Sequence, residues 1–502
     1  MASSEAESPA WVSGRRWAVL ASFSFFSFTN AFVLMDFADD YGLAETVLGV
    51  GGGGRGSGSV AFLYTLFLLC VMPAMLISSW GVVNHNFATM AIGQAFNVAG
   101  TWLRYVAAQR RSYALAVAST VLAGTAASAI VCSYAVIAEH WFRPSQRALA
   151  TTVAVQSNYA GWALGSLLGL AARGDAALFA DRILLWQAVV VSLSLPLFAL
   201  CYRGPPRAPH ALLPPPDEHD ATAAAAPAPP AATAPAAGPR PALGGPAAWS
   251  GGAGRTGLEA VLLAASEGEA RVGAPPARVL GLRASVGRLL ANRRYALYTA
   301  CYAVLAGIGF AVPSAQDALL GTTCASNASG VSGAGAWTGF DTPHTTFTNL
   351  AFILSGVVVG LLAGCVVRTR RGMEDAVLGL ALVGALALSA LAVLSTPAVA
   401  QRLPQEPLYG LLLALMALAG VATVGFIGMA LNLAVAFGAP ISEAYTVGGV
   451  EWLTQGIGGG LSNLSADCAV GFGACVALAW AATIVLACAR FYYRRASALD
   501  DD

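Results

Sequence analysis

Lysine is absent from this chain, and all 27 of its basic residues are arginine. Beside 55 glycines and an alanine-rich background, that reads as codon bias rather than chemistry. Charge of either sign is scarce. Only 11% of the 502 residues are charged, against about 25% in a soluble protein. The net charge of +1 gives no case for a nucleic-acid partner. The nine cysteines include no C-x-x-C pair, and no His, Cys or carboxylate cluster has metal-ligand spacing, so neither a metal nor a cofactor is expected. No nucleotide-binding loop is present, which argues against an ATP-driven pump within this chain. No nucleophile elbow or other catalytic signature stands out, so an enzyme is not expected.

What is there is apolar. Hydrophobic residues make up 57% of the chain and the mean hydropathy is +0.66. That composition belongs to an all-α integral membrane protein with many spans. The first span is Trp17–Asp40; it is too long for a signal peptide and lacks an A-x-A site before Asp36. Spans follow at about 60–82, 88–108, 113–138, 147–171 and 182–202. A second set runs at about 295–320, 344–367, 374–396, 408–436, 440–462 and 469–490. Between the sets, Gly204–Ala277 is rich in Pro and Ala and cannot bury a core. Arg278–Arg294 has apolar residues at helical spacing with Arg between them: a short helix on the membrane surface, or a plain basic flank.

Twelve spans split six and six by a long polar loop predict two six-helix bundles facing each other across a central cavity, the major facilitator plan. The expected organisation is an N-terminus at 1–16, bundles at 17–203 and 295–490, a disordered central loop at 204–294 and a tail at 491–502. The links after spans 4 and 10 echo each other, W-F-R-P-S-Q-R against F-G-A-P-I-S-E. An even span count puts both termini on one side. Arg15, Arg16, Arg143, Arg147, Arg368, Arg370, Arg371, Arg490 and the central-loop arginines fall there, so that side is expected to be cytoplasmic. The sequons at Asn327 and Asn463 then lie outside, as do Cys324 and Cys468, the one pair placed for a disulfide. The membrane is the plasma membrane or that of an organelle, and a monomer is expected.

Polar residues inside the spans mark the candidate site. Glu443, Glu451 and Gln455 share a stripe on span 11, with Glu451 roughly 80° and Gln455 roughly 120° round the helix from Glu443. Glu451 is mid-span and Glu443 sits in the first turn, where an acid complements the helix dipole. Asp36 lies well inside span 1, read either as a cavity carboxylate or as an interfacial residue. Gln156 and Tyr159 share a face of span 5, and an aromatic beside an amide suits a cation or a flat ring. Trp162 beside them is assigned to packing, with Gly161 and Gly165 as a small-residue contact face. Asn432 on span 10 is a further cavity candidate. Gln316 and Asp317 follow Pro313 on span 7, where the helix either breaks or ends. Arg104 closes span 3, snorkelling outward or pairing with an acid such as Asp39.

Four stretches carry a resemblance: N-A-F (Asn30–Phe32), N-V-A-G-T-W-L-R (Asn97–Arg104), W-F-R-P-S-Q-R-A-L-A-T (Trp141–Thr151) and L-N-L-A-V-A-F-G-A-P-I-S-E (Leu431–Glu443). They resemble the feline leukaemia virus subgroup C receptor-related transporters and their relatives, the disrupted-in-renal-carcinoma proteins. The resemblance implies a major facilitator carrier of choline, ethanolamine, pyridoxine or haem. Choline-type members use a helix 11 Gln, and the matching position is Gln455. Their helix 1 Trp falls on Leu34, their helix 1 Gln on Asp36 and their helix 5 Gln on Tyr159. That implies a rebuilt aromatic cage or a different substrate.

The expectation is therefore a carrier working by alternating access on a small-molecule substrate within the lipid bilayer. Asp36, Gln156, Tyr159, Asn432, Glu451 and Gln455 would bind a small organic cation, with proton coupling through Asp36 or Glu451. Haem export is the alternative within the family. A non-transporting receptor or sensor is the alternative of another class. Glu451 is expected to find its partner in Asp36 across the cavity.

Overall fold

The structure, a computed structural model, describes residues 14–37, 41–50, 60–202, 281–320, 340, 342–367, 369–400, 402–465 and 471–500. Most of the central loop, the glycine-rich loop, Asp39, Asp40, Arg368, Cys324, Cys468 and Asn327 lie outside the described residues, as do the side chains of Gln316 and Asp317. The described residues belong to one compact unit.

The described elements are helices. The first half has α1 (Arg15–Met35), α2 (Tyr41–Leu48), α3 (Ala61–Gln109), α4 (Tyr113–Trp141), α5 (Pro144–Ala172) and α6 (Ala176–Cys201). The second has α7 (Leu282–Ala291), α8 (Arg293–Leu320), α9 (Thr342–Val366), α10 (Arg370–Leu394), α11 (Gln405–Thr423), α12 (Ile427–Gly438), α13 (Glu443–Ser465) and α14 (Gly471–Asp500). Among the described residues, nine helical stretches are long and apolar enough to cross a membrane. The chain is an integral, multi-pass membrane protein. α5 and α13 fall outside that group of nine because they carry the polar residues, Gln156 and Asn158 on one, Glu443, Glu451 and Gln455 on the other.

Local sequence sets the breaks. α3 holds 49 residues, and non-helical φ/ψ at His85 divides it into two stretches near the expected boundary. Arg143 is extended and Pro144 opens α5, where the missing N–H costs nothing. The expected span at 408–436 is interrupted, since α11 ends at Thr423 and α12 starts at Ile427. α8 runs through Pro313 to Leu320, so the proline does not end the span. The basic stretch before span 7 forms α7, which packs Ser285 and Leu289 inward and leaves Val286 and Leu290 exposed.

The two halves pack on one plan. α1 lies against α5 in the first and α8 against α13 in the second. Between halves, α3 meets α13 and α9 meets α5, while α4 meets α13 and α12 meets α5. At the α1–α5 contact, Gly161 and Gly165 let the backbones approach closely. A Cβ on Gly161 would overlap the Phe28 carbonyl, and one on Gly165 would come within 2.8 Å of the Phe32 carbonyl and of Met35 Cβ. The faces turned outward are apolar, with Leu362, Val366 and Leu386 largely exposed, as a lipid-facing surface requires.

Candidate functional site

Between the halves lies a narrow chamber. Val155, Asn158, Tyr159 and Trp162 line it from α5. Their i, i+3, i+4, i+7 spacing is one helical stripe. From α13 come Glu451 and Gln455, one turn apart. Tyr134 (α4), Leu34 (α1) and Phe310 (α8) complete the walls. Glu451 is the ninth residue of α13, about 12 Å along the helix axis at 1.5 Å per residue, deep in the bundle.

Glu451 is 3% exposed and a neutral group holds it. Tyr302 donates its hydroxyl to Glu451 Oε1 at 2.9 Å, and the Gln455 amide stands one turn further along α13, lining the same chamber. Aromatic rings line the same chamber. Tyr159 and Trp162 meet at 5.1 Å between centroids, and Trp162 and Phe310 at 5.4 Å. Tyr64 sits 6.4 Å from Trp162 and donates to the Phe310 carbonyl at 2.7 Å, joining α3 to α8 across the halves. Among the described lining residues Glu451 is the one acid, and none is basic. One carboxylate among ring faces attracts a cation: the charge meets its opposite, and the apolar part of the ligand meets π-surfaces.

Tyr159, Glu451 and Gln455, expected as site residues, come together here. Gln156 does not line the chamber. It sits about 100° round α5 from Val155, and its amide reaches the Val424 carbonyl at 3.2 Å, a group in the α11–α12 interruption. Asn432 bonds the Gly428 carbonyl at 2.7 Å and accepts from Thr151 at 3.4 Å, so it bridges α12 and α5. Trp162, assigned to packing by its sequence surroundings, lines the chamber. Tyr134, Phe310 and Tyr302 were not anticipated. Tyr295, Tyr298 and Tyr302 recur at spacings of three and four on α8, an aromatic stripe that sequence reading had available.

Asp36 has another partner than expected. Its carboxylate forms an ion pair with Arg104, and both side chains are fully buried. The Arg104 guanidinium also donates to the Val33 carbonyl, to Ser119 Oγ at 3.2 Å and to Thr120 Oγ1 at 3.1 Å. It lies 4.8 Å from the Phe37 ring. Beside the pair, Gln187 of α6 donates to the Phe32 carbonyl of α1 at 3.1 Å. So α1, α3, α4 and α6 meet at one charged knot within the first half. The expected Glu451–Asp36 pairing gives way to Asp36–Arg104 because a full opposite charge outcompetes a hydrogen bond for a buried carboxylate. At the end of the molecule where α4 gives way to α5, Arg147 pairs with Glu139, and Glu443 adds its charge to this group from α13.

A chamber enclosed by two similarly packed halves defines a class, the major facilitator fold. Solved structures agree. The human organic anion transporter MFSD10 (TETRAN) superposes with a TM-score of 0.53 at 15% identity, covering 94% of this chain and 99% of that one. The E. coli fucose:proton symporter FucP gives 0.54 at 12%, covering 95% and 98%. No family model matches the chain. In sequence, a stretch of 158 residues is 27% identical to the choline/ethanolamine transporter FLVCR2 of Rattus norvegicus and of Homo sapiens, covering 31% of this chain and 28% and 29% of theirs. The choline/ethanolamine transporter FLVCR1 of Felis catus is also 27% identical over 158 residues, 27% of its length. The chain thus has the major facilitator fold and FLVCR transporters as relatives in sequence. The match spans less than a third of those relatives' own length.

Proposed function

We propose that this protein is a secondary carrier of a small organic cation, of the choline, ethanolamine or pyridoxine type. The observation that carries the reading is the chamber itself: one buried carboxylate, Glu451, facing Tyr159, Trp162 and Phe310 between two similarly packed halves. An ammonium group would sit between Glu451 and the rings, with the Gln455 amide one turn from the carboxylate. The FLVCR relatives are choline/ethanolamine transporters, the same ligand class. Haem, which is large and anionic, fits a chamber with an acid and no base poorly.

In this reading the chain crosses the membrane twelve times, α3 supplying two crossings and α11 with α12 one. Both termini are cytoplasmic, since arginine collects at that end. Alternating access consists of opening the inter-half contacts at one end and then the other. Gln156 and Asn432 act at the seam between halves rather than on substrate, and Asp36 is Arg104's partner. That leaves Glu451 as the acid for proton coupling. The test is uptake of labelled choline, ethanolamine and pyridoxine by cells expressing the chain, against Glu451→Gln. The reading expects uptake by the parent and its loss in the variant. Uptake that survives in Glu451→Gln but no longer changes with pH assigns Glu451 to the proton. Unchanged uptake and pH profile remove it from the site.

A further inference from the structure

Away from the chamber, a second cavity opens where α8 and α10 begin and α14 ends. Its lining changes character with depth. Arg294 stands at the start of α8, Glu374 in the first turns of α10 and Arg490 late in α14. One turn further into the bundle on each helix stand Leu297, Val377 and Leu486. The cavity is therefore charged at its mouth and apolar beneath.

The mouth carries more positive than negative charge. Arg294 donates to Glu374 Oε1 at 2.9 Å, and Arg370 Nε lies 3.5 Å from the same oxygen. Arg490 pairs with Asp375. Three guanidiniums thus stand against two carboxylates. Arg294 and Arg370 both stack on Phe437, at 4.5 and 4.6 Å, which fixes their planes. Arg294, Arg370 and Arg371 also sit at helix N-termini, where the backbone dipole already favours an anion. Arginines at that end of a helix oppose its dipole, so the site is short of negative charge twice over. Beside the mouth, α14 exposes Phe491 and Tyr492, and α7 presents Val286 and Leu290 together with Arg283 and Arg288. Such a helix rests in the headgroup layer of a membrane.

We propose that this cavity binds the headgroup of an anionic phospholipid. Arg294 and Arg370 hold the phosphate, and the first acyl carbons lie against Leu297, Val377 and Leu486. Planar guanidiniums suit a phosphate's paired oxygens, and the apolar floor suits a lipid better than a free anion. This inference is independent of what the chamber transports.

The test uses the full chain in neutral detergent, with melting temperature read against added phosphatidylglycerol, phosphatidylcholine or inorganic phosphate. Phosphatidylglycerol is expected to raise the midpoint by about 4 °C or more at saturation, while the other two leave it unchanged. The double variant Arg294→Gln/Arg370→Gln loses the shift. So does Leu378→Trp, which fills the cavity, keeps every charge and decides the matter if the double variant does not fold. Equal stabilisation by phosphatidylcholine, a shift reproduced by inorganic phosphate alone, or a full shift in Leu378→Trp overturns the proposal.

Discussion

Asp36 and Glu451 are both carboxylates inside the bundle and both almost fully buried, yet their surroundings differ in kind. Asp36 faces a guanidinium that groups of α1 and α4 hold, so its charge is already answered. Glu451 faces a phenol, which stabilises a carboxylate without cancelling it, and beyond it a chamber. A buried acid in a membrane protein marks function by default. On the proposed reading, the charge of its partner, not its burial, separates a structural acid from one with a ligand to bind. The first half thus carries a locked knot and the second an open valence.

Removing the lock should have the largest effect. Arg104→Gln leaves Asp36 buried without its counter-charge, and stability is expected to fall by about 3–5 kcal/mol. The measurement is thermal melting of the purified protein in detergent, with yield as a second readout. Asp36→Asn in the same chain should restore much of the loss. If the double variant melts no higher than Arg104→Gln alone, the pair is not what holds this knot. On the other side of the comparison, Glu451→Gln keeps size and hydrogen-bonding capacity, so melting should stay within about 1 kcal/mol of the parent. Binding of an organic cation is expected to weaken by roughly 10- to 100-fold, corresponding to about 1.5–3 kcal/mol for a charge-assisted contact. Melting lost in Glu451→Gln with affinity unchanged would invert the assignment of the two acids. A smaller effect belongs to the ring faces. Trp162→Leu keeps an apolar wall and removes the best π-surface, and affinity for a quaternary ammonium should drop about 3- to 30-fold, from roughly 0.5–2 kcal/mol. Equal losses for a neutral ligand of the same shape would mean that the ring supplies contact area alone.

Much of this is legible in the sequence. Apolar runs gave the helical membrane fold, because a bilayer demands length and hydrophobicity that only a few compositions meet. Glu451 with Gln455 was visible from helical spacing, and Gly161 with Gly165 as a contact face from small residues four apart. Partnership was not legible. Arg104 was read as snorkelling or as a partner of Asp39, and Asp36 as a partner of Glu451, because a pattern along one helix carries no information on which neighbour it faces. The same limit hid Tyr302 and Phe310. The tyrosine stripe on α8 is equally what a packed core would show, and only the position of α13 turns Tyr302 toward an acid. The interruption between α11 and α12 was missed because no proline marks it. Its sign is instead the Val424 carbonyl that Gln156 reaches from the other half.

The smallest predicted effect concerns the seam. The Asp36–Arg104 knot lies within one half, whereas several bonds between halves are neutral: Tyr64 to the Phe310 carbonyl, Gln156 to the Val424 carbonyl, Asn349 to Ser166 at 3.1 Å, and Thr151 to Asn432 at 3.4 Å. A carrier that alternates must break and remake its seam in every cycle, so contacts there have to be cheap to lose, while contacts within a half can be strong. Thr151→Val removes the longest of these bonds and keeps the shape. It is expected to cost about 0.5 kcal/mol, moving the balance between conformations by roughly twofold. Distances between spin labels on the two halves would register that shift, with ligand affinity and melting nearly unchanged. A loss of several kcal/mol would mean that the seam is built like the knot, and the contrast between rigid halves and a weak joint would fail.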